Sequence, residues 1–150
     1  MLVHQYGVTL YDKKRTTPGY TLFSRNGSDQ VWLINLDGDV VHDWKTRGGT
    51  THFNYLRPNG NLVVCERIDD GPPVISGKGG RICEYDWNGN IVWEHIDDHQ
   101  HHDARRLENG NTVYIAWSKL TDEEARKVQG GVPGTEIDGV IYGDVIREVD

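Results

Sequence analysis

Seven histidines stand among 150 residues, and two of them, His52 and His102, open phrases that echo each other. The stretch from His52 to Val64 (HFNYLRPNGNLVV) returns as the stretch from His102 to Tyr114 (HDARRLENGNTVY). Imidazole changes charge near neutral pH, so it can attack an electrophile when neutral and donate a proton when charged. A guanidinium nearby can hold the oxygens on which negative charge develops. His102 and His52 are therefore the candidate catalytic residues, and His101 and Arg106 the candidate substrate-binding ones. Alternation along a strand puts Arg106 on the His102 side and His101 on the opposite side. Each has a plainer reading. A histidine at a strand start can pack against the next sheet and bond to backbone, and an arginine beside a hairpin usually meets solvent or a surface ion pair. Asp103 would either orient His102 or fix a tight turn.

The run from His95 to Asp103 (HIDDHQHHD) has the ligand types of a metal site, imidazole and carboxylate. Its spacing matches no metal motif, so the expectation is no metal, and no cofactor either.

These residues belong to a repeat. The segment from Leu33 to Trp44 (LINLDGDVVHDW) is echoed from Cys83 to Glu94 (CEYDWNGNIVWE), with Gly38 and Gly89 lying 51 positions apart. Gly60 and Gly110 lie 50 apart, so two independent phrases share one period. The pairs Asp37-Gly38, Asn59-Gly60, Asn88-Gly89 and Asn109-Gly110 sit between β-branched and aromatic runs. Such pairs mark hairpins, and a type I′ turn is expected at each.

The complete unit reads as strands over 51–57, 61–67, 81–86 and 90–95, with a Gly/Pro-rich loop through Pro72-Pro73 and Gly79-Gly80. That is a four-stranded antiparallel meander of propeller-blade length. The preceding unit supplies strands near 20–24, 30–36 and 39–44, and the following one 101–107, 111–117 and 144–149.

The expected fold is all-β: a β-propeller of four-stranded antiparallel blades, about three present, as one domain with units about 7–44, 51–95 and 101–150. In a propeller the first strand of each blade lines the axis, which aims His52 and His102 at one space. The one helical signature, Thr121 to Val128 (TDEEARKV), has a capping box with acids in its first turn and bases in its last. It reads as a short surface helix before a loop at 130–134. The last predicted strand matches the third of a blade, so further blades or other copies of the chain are expected to close the open edges.

Sixteen basic against 23 acidic residues give a formal charge of −7, and no Lys/Arg run longer than Lys13-Lys14-Arg15 appears, which argues against nucleic acid. No apolar stretch, Val31 to Ile34 among them, comes near the roughly 20 residues that cross a bilayer. The first residues lack the pattern of a secretory signal. Cys65 and Cys83 form no CxxC pair; they read as free buried thiols, with a cross-strand contact as the other reading. The five tryptophans are expected to fill the space between blades.

Read in order, Gly7 to Asp12 (GVTLYD), Pro18 to Phe23 (PGYTLF), Val31 to Trp44, Leu56 to Asn61 (LRPNGN), Glu84 to Glu94 and His101 to Asn111 resemble the opening part of the bacterial arylsulfotransferases that use aryl sulfates as donors. The likeness covers nearly the whole chain; the ordered series with the His-His-Asp step carries it, since Asn-Gly-Asn alone is common to many propellers. The resemblance implies a six-bladed propeller, a periplasmic setting, and transfer of a sulfuryl group from an aryl sulfate to a phenol through a channel histidine. It also implies that the sulfuryl-carrying histidine and the channel arginine come from later blades, so that this chain is an N-terminal part of the enzyme and inactive alone. The competing expectation is a non-catalytic propeller that binds a protein or small ligand.

Overall fold

A computed structural model describes residues 8–73, 77–130, 134 and 136–150. Ten strands and one helical turn follow in order: β1 (Thr21–Ser24), β2 (Gln30–Ile34), β3 (Val40–Lys45), β4 (Thr50–Leu56), β5 (Leu62–Arg67), β6 (Gly80–Tyr85), β7 (Ile91–Ile96), β8 (Gln100–Arg106), β9 (Thr112–Lys119), α1 (Asp122–Ala125) and β10 (Tyr142–Val149). They form three antiparallel meanders, β1-β2-β3, β4-β5-β6-β7 and β8-β9-β10. The chain is therefore all-β. Only the second sheet has four strands among the described residues; the two flanking sheets have three. The loop expected at 130–134 falls mostly outside the described residues.

All four Gly-containing turns close in one way, and it is not type I′. In each, the glycine N–H donates to the carbonyl three residues earlier, as from Gly110 to Leu107 at 3.2 Å, and Leu107 N–H donates to Asn111 at 2.7 Å. Only the glycine takes a positive φ: 90° at Gly38, 86° at Gly60, 84° at Gly89 and 94° at Gly110. This is a type I turn followed by a left-handed residue, the three-residue hairpin loop. Side chains select it: Asp86 Oδ1 accepts the N–H groups of Asn88 and Asn90 at 2.9 and 2.8 Å, which holds the turn without left-handed backbone at Asn88.

The three sheets pack face to face in chain order. One core joins Val31, Leu33 and Trp44 of the first sheet to Leu62, Val64, Cys83 and Tyr85 of the second. The other joins Val63, Cys65 and Ile82 of the second to Ala104, Tyr114 and Ala116 of the third. Alternate residues of β5 and β6 thus enter opposite cores, and all five residues from Leu62 to Glu66 are buried. Each fully buried aliphatic side chain contributes about 1.5–3 kcal/mol. Cys65 and Cys83 are free and buried, and they face different cores.

Of the tryptophans, Trp44 and Trp117 are buried, but Trp87 is exposed on the β6–β7 turn, where it stacks on His42 at 3.9 Å. Glu66, fully buried, accepts from Tyr85 Oη, Arg81 and the N–H groups of Arg47 and Gly48, and so ties the connection between the first and second sheets. No described helix is long and apolar enough to cross a membrane. Thr121 caps α1 with the expected capping box, but the helix is a single turn with no base in it.

Candidate functional site

The alternation expected along β8 breaks where it matters. Pairing with β9 shifts between His101 and Ala104, and His102 takes a φ of 53°. The same break recurs in β4 between Thr50 and Asn54, so the repeat keeps a bulge at the His52 and His102 positions. A bulge re-aims side chains. His101 is buried, stacked on Trp117 with ring centres 4.5 Å apart, while His102 is exposed. Their Nδ1 atoms nevertheless lie 2.9 Å apart.

Backbone from the β5–β6 connection supports the pair. His102 N–H donates to the Gly77 carbonyl at 2.9 Å, and Lys78 bridges His101. Gly77 has a φ of 70°, and a Cβ there would fall 2.1 Å from the His102 ring, so only glycine lets this segment lie under the imidazole. Gln100, fully buried just before the pair, accepts from Gly80 N–H at 2.9 Å and donates to Cys65 Sγ at 3.4 Å.

Behind His101 stands Asp144 on β10. Its Oδ1 is 3.3 Å from the buried His101 Nε2, close enough for attraction although misaligned for a hydrogen bond. Burial lowers the His101 pKa; the Asp144 carboxylate opposes this and His102 adds to it, with the net direction downward. His101 is thus held neutral at neutral pH. A carboxylate beside Nε2 favours the proton on that nitrogen, which leaves Nδ1 to accept from His102 Nδ1–H. His102 then carries its lone pair on Nε2. Sequence reasoning missed Asp144, which lies 42 positions after His102 on another strand.

A cleft of about 370 Å³ is bordered by Thr51, Arg67, Asp69, Gly77 and Lys78. It lies against the Gly77 segment that carries His102, and Thr51, next to His52, forms part of its wall. The Thr51 hydroxyl is buried without a hydrogen-bond partner. The Arg67 side chain is in no ion pair with the described residues. The His52 side chain lies outside the described residues.

Arg106 does not join this group. It sits at the hairpin end of β8, with its guanidinium 4.1 Å from the centre of Trp93, its Nε 3.1 Å from Glu84 and its Nη1 2.9 Å from Thr112. It bridges the second and third sheets, because Glu84 is buried and already draws Arg57 and Asn61. Burial raises the Glu84 pKa, but the Asn61 and Arg57 hydrogen bonds and the Arg57 and Arg106 charges outweigh it and hold the carboxyl below its usual value.

From the His95–Asp103 run, Asp97, Asp98 and His99 bring one ligand atom each within 4.8 Å of one another. Asp97 is already engaged by Tyr114 Oη, Arg147 and His99 N–H, and His99 Nδ1 lies 2.7 Å from Asp98. The group reads as a hydrogen-bonded turn. No protein-family model matches the chain, and no curated protein matches it in sequence.

Proposed function

We propose that the chain is part of a β-propeller enzyme that transfers a sulfuryl group from an aryl sulfate to a phenol, with His102 Nε2 as the attacking atom. The observation that carries the reading is the 2.9 Å contact between His102 and His101, with Asp144 behind it. In the first step Nε2 attacks sulfur, an N–S bond forms and the S–O(aryl) bond breaks, and the phenolate leaves with the electron pair. In the second, a phenol oxygen attacks sulfur, the N–S bond breaks, and the phenol proton passes to the released imidazole or to solvent. His101, buried beside Asp144, acts as a positioning residue: its Nδ1 accepts from His102 Nδ1–H, which leaves Nε2 of His102 as the nitrogen that attacks. Of the two cations on the adjoining cleft, Lys78 donates to the Asp69 and Pro72 carbonyls, so Arg67 is the one this reading gives the sulfuryl oxygens. Arg106, expected from the sequence to do that work, serves the sheet interface instead.

The ordered phrase likeness to arylsulfotransferases supports the choice of sulfuryl over other groups; it implies a sulfuryl-carrying histidine in a later blade, and the assignment of the attack to His102 rests instead on its contact with His101. The test uses the full-length protein with p-nitrophenyl sulfate, following release of p-nitrophenolate with and without added phenol. Phenol-dependent release is expected, with a loss of about 10²-fold or more in His102→Ala. Asp144→Asn should move the pH profile while leaving the fold intact. Absence of turnover together with unchanged aryl sulfate binding in His102→Ala would leave the non-catalytic binding module as the reading.

A further inference from the structure

The sequence holds four Asn-Gly pairs, Asn26-Gly27, Asn59-Gly60, Asn88-Gly89 and Asn109-Gly110. Such a pair can react with itself. The glycine nitrogen attacks the asparagine Cγ, and its approach is easy because glycine has no Cβ in the way. The last three pairs close hairpin turns of one kind. In all three the asparagine is exposed, and the glycine N–H donates to the carbonyl three residues earlier, at 2.9, 3.1 and 3.2 Å. Exposure and the state of the attacking nitrogen therefore do not separate them. What separates them is the residue that holds each turn.

In the β4–β5 and β8–β9 turns the asparagine does that work itself: Asn59 Oδ1 accepts Asn61 N–H at 3.1 Å, and Asn109 Oδ1 accepts Asn111 N–H at 3.0 Å. In the β6–β7 turn Asp86 has taken the role. Its Oδ1 accepts the N–H groups of Asn88 and Asn90 at 2.9 and 2.8 Å, and its Oδ2 accepts Asn90 Nδ2 at 2.9 Å. At the Asp86 position the other two turns carry Arg57 and Leu107, whose side chains cannot accept. The Asn88 side chain is thus left without a hydrogen bond among the described residues, and it can rotate onto Gly89 without breaking one. Asn26 is restrained in another way. Gly27 N–H donates to Thr50 of the second sheet at 2.8 Å, and a Cβ on Gly49 would lie 2.9 Å from the Gly27 carbonyl, so this glycine is clamped against the second sheet.

We propose that Asn88 is a site of spontaneous covalent modification, cyclising on Gly89 and opening with water to aspartate or isoaspartate. The Gly89 nitrogen bonds to Asn88 Cγ, the Cγ–Nδ2 bond breaks, and the amide leaves as ammonia carrying the Gly89 proton. Water then opens the cyclic imide, its hydroxyl going to either carbonyl carbon and its proton to the nitrogen. Isoaspartate runs the main chain through the former side chain and lengthens the turn by one atom. That turn anchors the first sheet, since the Asp86 and Trp87 carbonyls accept from Trp44 Nε1 and His42 Nε2, both at 2.9 Å. The modification therefore loosens the contact between the first two sheets. It is independent of the sulfuryl-transfer reading.

The test incubates the folded full-length protein in mildly alkaline buffer and follows conversion of amide to acid at each Asn-Gly pair by peptide mass mapping. Asn88 is expected to convert about fivefold or more faster than Asn59 and Asn109, the worth of one hydrogen bond. In denaturing urea that advantage should vanish. Two variants exchange the residues that hold the turns. Asp86→Leu hands the turn to Asn88 and should slow its conversion to the Asn109 rate, while Leu107→Asp should raise Asn109 to the Asn88 rate. Circular dichroism checks that both keep the fold. Conversion of Asn26, Asn59 or Asn109 as fast as Asn88 in the folded protein would overturn the proposal. So would an advantage that survives in denaturant, or an Asn88 rate indifferent to Asp86→Leu.

Discussion

Glu84 shows how one charge can hold two sheets in register. Its carboxylate is 3% exposed and receives Arg57, Asn61 and, from across the interface, Arg106. Burying a carboxylate is costly unless every oxygen is met, so removing one donor exposes the cost without relieving it. Arg106→Ala also uncovers Trp93, on which the guanidinium lies. Arg106→Ala is expected to destabilise the protein by about 3 kcal/mol, read as a lower urea midpoint with an unchanged m-value. Arg105→Ala, whose guanidinium rests on Phe53 and Tyr55 at 4.4 and 4.6 Å and has no carboxylate partner among the described residues, should cost less. The same residue-level logic separates the two histidines. Burial and Trp117 make His101 a support, and the left-handed backbone at His102 turns the second ring outward.

Among the elements, the hairpins are the parts most directly specified by local chemistry. Gly110 has a φ of 94° and open space where a methyl group would stand, so a side chain there meets no neighbour and suffers only the backbone. Gly110→Ala is expected to cost about 1–2 kcal/mol from that strain alone, measured by urea unfolding. Gly77 differs in kind, because its added Cβ would strike the His102 ring as well. The bulges of β4 and β8 are the other decisive local devices. They recur at equivalent positions and set the direction of the side chains where the strands begin.

Across the whole molecule, stability should fall in acid, and the sign follows from two carboxylates. Burial raises Glu84 and Asp97, but hydrogen bonds and cations outweigh it, so both are held below their usual values in the folded state. The unfolded chain therefore binds more protons as the pH drops. The stabilisation from these groups is complete above their unfolded pKa values, about 4, and is lost as pH falls through the lower folded values. Acid titration followed by tryptophan fluorescence should show this loss. In Asp97→Asn the dependence below pH 4 should flatten, because one of the linked protons is gone. Both groups bridge sheets or strands far apart in the chain: Asp97 meets Arg147 on β10, and Glu84 meets Arg106 on β8. Acid is thus expected to loosen the packing of the third sheet on the second.

The strand positions, the four turns, the capped helix and the three-sheet division were legible in the sequence, because alternation, Asn-Gly and Asp-Gly pairs and a capping box act within a few residues. Two local readings were misjudged: the helix stops after one turn without its expected bases, and the hairpin turns are not type I′. Asx hydrogen bonds hold the residue before each glycine in ordinary backbone, so the turns need one left-handed residue and not two. The relation of His101 to His102 was not legible, since period-two alternation does not see a bulge. Nor was the duty of Arg106: its partner Glu84 lies 22 positions away on a sheet that must first pack against its own. Asp144 reaches His101 only after β10 pairs with β9. Local chemistry chose the elements, and long-range packing, which brings charges together across faces no short pattern describes, decided what each polar side chain does.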